Sequence, residues 1–251
     1  AAQHYFLKAF PPETLRPGDV LATNDPLIGT GHLPDVVMIT PIFRGERIVA
    51  YAGSIAHMPD IGGRPYSPDS TDIFEEGIRF PILKLHKEGV PNQDVLDVIA
   101  ASVRLPSEVI GDINSMAAAN AIMGRELLRF LDEYGLSDVE ALAGAIHARS
   151  ERRMRQAIAA WPNGSYEATV DLDGHQSPIH LRASVVVRDE SIHVDYAGSS
   201  AQVAHGINVR KHYRYAHTVY ALKCLLDPAT PNNEGSMLPI TDAAPHGSIL
   251  N

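Results

Sequence analysis

The chain has 251 residues, 45% of them hydrophobic and 20% charged, with a formal net charge of −9 and a single cysteine. This is the composition of a globular protein with one large or two modest domains, and it excludes disorder and low complexity. The acidic balance and the lack of a Lys/Arg-rich run exclude an electrostatic nucleic-acid binder, and no apolar run approaches the ~18 residues of a membrane span, so neither nucleic acid nor membrane is expected as a partner.

Taken in chain order, AAQHYFLKAF reads as an amphipathic helix with neither the basic nor the long apolar region of a leader. GDVLATND, DVVMITPIF and RIVAYAGSIA are rich in β-branched and aromatic residues and are punctuated by Gly, Pro, Asn and Asp, which predicts strands. The second and third are joined through Arg44-Gly45-Glu46 as a hairpin, with Gly45 free to take a positive φ. Residues 61–91 read as loop, interrupted by Gly62, Gly63, Pro65, Pro68, Pro81 and Pro91. A short helix follows through Val95 to Val103, then a long one from Pro106 to Gly135. Ser137 and Glu140 have capping-box spacing for a further helix reaching Trp161, and the short joint predicts an antiparallel helical pair. After PNGS, the segments YEATVDLDG, PIHLRASVVVRD and SIHVDYAG alternate as half-buried strands, and HYRYAHTVYALKCLL closes as a helix before DPATPNNEG.

This order predicts an α+β fold with mixed or antiparallel strands and a long helical hairpin inserted between β-rich regions. The regions are 1–91, strand-rich; 92–161, helical; and 162–251, strand-rich with a closing helix; together they form one continuous catalytic domain. Cys224 lies in an apolar stretch, reads as a core residue and has no intrachain partner for a disulfide, so a reducing, cytoplasmic location is expected. The abrupt ends suggest a fragment of a larger chain.

Two segments share one pattern. GTGHLPDV places His32 and Asp35 around Pro34, and AHMPDIGG places His57 and Asp60 around Pro59; each is His-x-Pro-Asp, and the two flank the predicted hairpin. With Arg44 and Gly45 as the turn, His32 faces His57, where facing Cβ atoms lie about 4.5 to 5.5 Å apart. The prolines bend the chain out of ladder geometry, so that Asp35 and Asp60 can turn back to the same point. Such a two-histidine, one- or two-carboxylate set suits Zn, Mn or Fe. Asp25, in TNDPLIGTGH, is a further ligand or an acceptor that orients a histidine; Gly29, Thr30 and Gly31 are small, mobile positions, and Gly62 and Gly63 leave space for a substrate backbone. Each piece alone also reads as an ordinary turn or surface histidine. The remaining histidines show no such motif and read mostly as surface or interface. The segment 196–208 reads equally as a substrate loop or a strand-exit turn. There is no GxxxxGK[ST] and no GxGxxG after a strand, so the chain itself supplies no nucleotide site.

These segments, with EEGIRFPILKLHKEGVPN, GDINSMAAANAIMGRELL and DYAGSSAQVAHGIN in that order, resemble the hydantoinase B / 5-oxoprolinase family over nearly the whole chain. The resemblance implies a B-type subunit of an ATP-dependent hydrolase of a hydantoin, lactam or 5-oxoproline-like cyclic amide. It also implies a hydantoinase A-type partner that binds ATP with Mg. It places a metal motif on His32, Asp35 and His57, with Asp60 in the second tetrapeptide and Asp25 in the NDP element as ligand or base. Many members carry a second histidine where this chain has Met58. An ATP-dependent ketone carboxylase subunit and a structural subunit pinned by its metal are the alternatives.

Overall fold

The computed structural model describes residues 2–64 and 67–251; Ala1 of the opening helix, and Pro65 and Tyr66 of the expected loop, lie outside the described residues. The chain forms two compact units, Ala1–Val139 and Glu140–Asn251.

The first unit contains, in order, α1 (Ala2–Ala9), β1 (Val20–Thr23), β2 (Asp35–Arg44), β3 (Arg47–His57), α2 (Ile73–Glu76), β4 (Leu83–Lys87), β5 (Val90–Pro91), α3 (Gln93–Ser102) and α4 (Pro106–Glu133). Its five strands pair antiparallel in the order β3-β2-β1-β4-β5. Successive strand residues point to opposite faces, and β2 is apolar on both. Val36 and Met38 join Leu33, Met58 and Ile61 against Leu96 and Ile99 of α3 and Val109, Ile113 and Met116 of α4. Val37 and Ile39 face Phe6 of α1 with Leu15 and Leu21. This two-sided burial explains why β2 reads as a nearly unbroken apolar run rather than an alternating one. The stretch expected as loop contains the β4–β5 hairpin, closed by Glu88 and Gly89, both at positive φ.

The second unit contains α5 (Glu140–Ala159), β6 (Gly164–Leu172), β7 (Ile179–Arg188), β8 (Ser191–Asp195), α6 (Lys211–Leu226), α7 (Glu234–Met237) and β9 (Ile240–Ala243). The sheet order is β6-β7-β8-β9, antiparallel except for the parallel β8–β9 pair. Met154 and Ile158 of α5 pack with Val187, Ile192, Val194, Val219 and Ile240 in its core. The fold is α+β as expected, with one antiparallel and one mixed sheet. The two long helices expected as a pair belong to different units. α4 buries its apolar face on β2 and β3, and α5 on β8, α6 and α7. The division at residue 139 therefore falls within the helical region rather than at its ends. Cys224 is exposed, contrary to its reading as core. Its neighbour Lys223 is buried instead, donating to the carbonyls of Asp227 and, at 2.6 Å, Thr230 beyond the end of α6. Among the described residues, no helix is long and apolar enough to cross a membrane.

Asp19, fully buried before β1, ties that strand to β4 and its turn. It accepts hydrogen bonds from the Arg16 amide at 2.8 Å, the Glu88 amide at 3.0 Å and Lys84 Nζ at 2.6 Å. Burial pushes its carboxyl up, but Lys84 and the two amides outweigh this and hold it below its ordinary value. A lowered pKa stabilises the fold above the unfolded carboxyl value, and that stabilisation is lost as pH falls through the folded value. Asp19→Ala should cost about 3 kcal/mol at neutral pH. In denaturant melts, the difference from wild type should narrow as pH falls below about 4.

Candidate metal centre

The geometry of the centre follows from the β2–β3 hairpin. Its turn is Gly45–Glu46, with Gly45 at φ 63° and Arg44 paired to Arg47. A bulge follows: Phe43 pairs with Ile48 but Ile42 pairs with Ala50. Moving the turn by one residue shifts every pairing by two, and the bulge adds one more. His57 therefore faces Asp35 rather than His32. His32 reaches the same point from the loop before β2.

The three side chains converge on the Asp35 carboxylate. His32 Nε2 lies 2.8 Å from Oδ2, His57 Nδ1 lies 2.8 Å from Oδ1, and Thr30 Oγ1 donates to Oδ2. The imidazole centroids are 5.1 Å apart. Burial pushes the Asp35 carboxyl up, but hydrogen bonds from Thr30, His57 and His32 outweigh it and hold the group below its ordinary value, an anion at neutral pH. One ligand atom from each of His32, Asp35 and His57 lies within 4.8 Å of the other two. Two imidazole nitrogens and a carboxylate oxygen so disposed fit one borderline divalent ion. Asp35 is 14% exposed, whereas His32 and His57 are 38% and 46% exposed, so the cluster is supported from within and open on its outer side.

The x residues of the two tetrapeptides explain this orientation. Leu33 and Met58 are both buried in the core beneath the sheet, so each neighbouring histidine is turned outward. The Met58 amide donates to the Pro34 carbonyl at 2.8 Å, tying one motif directly to the other.

Asp60 points elsewhere. It is buried, and Oδ1 accepts from the Gly62 amide at 3.0 Å and the Arg104 guanidinium at 2.8 Å, while Oδ2 accepts from the Arg104 amide. Burial pushes its carboxyl up, but these Arg104 and Gly62 contacts prevail and hold it below the ordinary range. It anchors the glycine turn. The expected opening for substrate at Gly62 and Gly63 is filled by the chain itself. A Cβ on Gly62 would strike the Ser102 carbonyl, and one on Gly63, at φ 50°, would strike the backbone of residues 75–77. Asp25 is likewise engaged, accepting from the Leu27 amide at 2.9 Å and pairing with Arg79 at 3.0 Å, which makes it the anchor of the loop's first turn. The tendency of Asp to bond the backbone two residues on competes with ligation at both positions. Thr30, read as merely small and mobile, is in the cluster; its hydroxyl, two residues before His32, was the available signal.

The sequence matches the Hydantoinase B/oxoprolinase family across residues 1–251. The chain belongs to that family. It is 30% identical to the caprolactamase subunit beta of Pseudomonas jessenii, covering 93% of this chain and 41% of the relative. The crystal structure of the ATP-dependent caprolactamase from Pseudomonas jessenii superposes with a TM-score of 0.91 at 29% identity, covering 100% of this chain and 44% of that one. The nucleotide-free structure of acetone carboxylase shares the fold, with a TM-score of 0.86 at 20% identity over 100% of this chain and 36% of that one. The chain thus spans less than half the length of these relatives.

Asp60→Asn should lower the thermal midpoint through loss of the Arg104 pair and, if the His32, Asp35 and His57 cluster takes Mn2+, leave that affinity within about twofold of wild type, as for a site beyond direct contact. Loss of Mn2+ binding at unchanged stability, read by calorimetric titration, would instead place Asp60 among the ligands.

Proposed function

We propose that the chain is the B-type portion of an ATP-dependent hydrolase that opens a hydantoin, lactam or 5-oxoproline-like ring, with His32, Asp35 and His57 holding a divalent metal. The observation that carries this reading is the convergence of those three side chains on one outward-facing point, in a chain of the Hydantoinase B/oxoprolinase family. An ion there would supply Lewis-acid polarisation of a substrate carbonyl or of water.

The chain's own groups have separable tasks. Asp35 remains ionised, is itself held by the Thr30 hydroxyl, and fixes the two imidazoles. Asp60 is a poor candidate for general base, because a base works best with a pKa near the working pH and this one is held lower and buried. Activation by ATP is assigned to an A-type partner, since this sequence carries neither nucleotide-binding motif sought in it. Phosphoryl transfer to the amide oxygen there would make the carbonyl carbon a better electrophile. Addition of water and cleavage of the ring C–N bond, with a proton going to the nitrogen, would leave an acyl phosphate, which a second water would convert to carboxylate and free phosphate.

The exposed sides of both histidines favour an exchangeable position over a closed structural site. The shared fold with acetone carboxylase keeps carboxylation of a ketone as the second reading; bicarbonate-dependent product formation would select it. His57→Ala in the full hetero-oligomer should lose the metal it is otherwise purified with, and ring-opening turnover, while assembly persists. Full turnover by the metal-free variant would refute the assignment.

A further inference from the structure

We infer that Asn24 is the positioning residue that pre-sets His32 for metal binding, by closing the base of the loop that carries it. The inference rests on the assignment of His32 as a ligand.

Asn24 is 1% exposed and sits just after β1. Its Nδ2 donates to the Leu33 carbonyl at 3.0 Å and to the Ile78 carbonyl at 2.8 Å, and its Oδ1 accepts from the Phe80 amide at 2.9 Å. Both donors of the amide are thus used, and one acceptor position besides. The bond to Leu33 joins the two ends of the loop 24–33, a compact closed loop whose ends meet. The other two bonds fasten that junction to the segment 78–80 on the way into β4. Thr23 reinforces it, donating to the Phe80 carbonyl at 2.9 Å and accepting from the Asp25 amide at 3.1 Å.

The closure acts one residue from the ligand. Leu33 is held by its side chain in the core and by its carbonyl on Asn24, and Pro34 by the Met58 amide. His32 therefore enters from a backbone fixed on its C-terminal side, with Thr30 bonded to the same carboxylate. His57 needs no such device, being part of β3. Without the Asn24 amide, the Leu33 and Ile78 carbonyls would lose buried donors, and the base of the loop that carries Thr30 and His32 to Asp35 would lose its closure. A metal would then have to order the loop on binding, and affinity would fall by that cost.

The test is a double-mutant cycle on Mn2+ affinity in the full-length subunit with its partner, using Asn24→Ala and His32→Ala. Asn24→Ala should weaken Mn2+ binding about tenfold, the effect typical of groups that orient a ligand, and should change affinity by less than about twofold in the His32→Ala background. Asn120→Ala is the matched control. Asn120 is another fully buried asparagine of the same unit, bonded to Thr40 on β2, and its loss should destabilise the fold without this affinity change. Additive effects of Asn24→Ala and His32→Ala, or unchanged affinity in folded Asn24→Ala, would overturn the inference. Unchanged affinity in His32→Ala would instead remove the ligand assignment beneath it.

Hydrogen exchange of the metal-free wild type keeps the inference testable if Asn24→Ala does not fold. The Phe80 and Met58 amides should already exchange as slowly as the core of the first unit. Fast exchange that Mn2+ alone slows would show that the metal, rather than Asn24, organises the loop.

Discussion

Asp35 stands where two constraints coincide. As the first residue of β2 it is fixed by pairing with His57 across the hairpin, and as an anion it gathers the hydrogen bonds of Thr30, His32 and His57. Three polar groups from two separate stretches of chain, the loop before β2 and the end of β3, converge there because the carboxylate is already in place. Its lowered pKa records the same fact electrostatically, since the hydrogen bonds that hold the negative charge outweigh its partial burial. Removing Asp35 would take from both histidines the carboxylate that they share, and a metal-binding histidine generally requires such an acceptor.

The rest of the first unit supports that point from below. Leu33 and Met58 lie at equivalent positions of the two His-x-Pro-Asp motifs, and both are core residues, so apolar burial aims the histidines. The hydrophobic effect is non-directional, but a buried x residue on a fixed backbone leaves its neighbours few orientations. Asn24, Asp25 and Asp60 then pin the flanking loops through buried polar contacts. Each has its partners close at hand, as buried polar groups require.

Much of this was legible in the sequence, and the exceptions have definite causes. The hairpin, the proximity of the two motifs and the main helices follow from periodicity and turn residues. The register does not: with Arg44, Gly45 and Glu46 all compatible with a turn, only packing of both faces of β2 decides the pairing, and the bulge at Val49 leaves no sequence signal. The repeat of the Asp35 motif makes Asp60 resemble a fourth ligand in the sequence alone. What separates them is Arg104, 44 residues downstream, which no local reading could supply. The strands β4 and β9 were missed because they are short, five and four residues, and β9 pairs in parallel with a strand far away in sequence. Cys224 is not the core residue its apolar stretch suggests; its neighbour Lys223 is buried instead, because backbone carbonyls beyond α6 give the lysine acceptors that its sequence context does not reveal.

The proposed function stands on one metal ion bound by His32, Asp35 and His57. Anomalous diffraction from crystals of the complete hetero-oligomer, recorded on either side of the Zn, Mn and Fe absorption edges, tests it most directly. The expected result is a single anomalous peak among these three side chains, with Asp60 still paired to Arg104. Ordered, catalytically competent crystals with no peak there, or with the metal held by Asp60 and Asp25 instead, would contradict it.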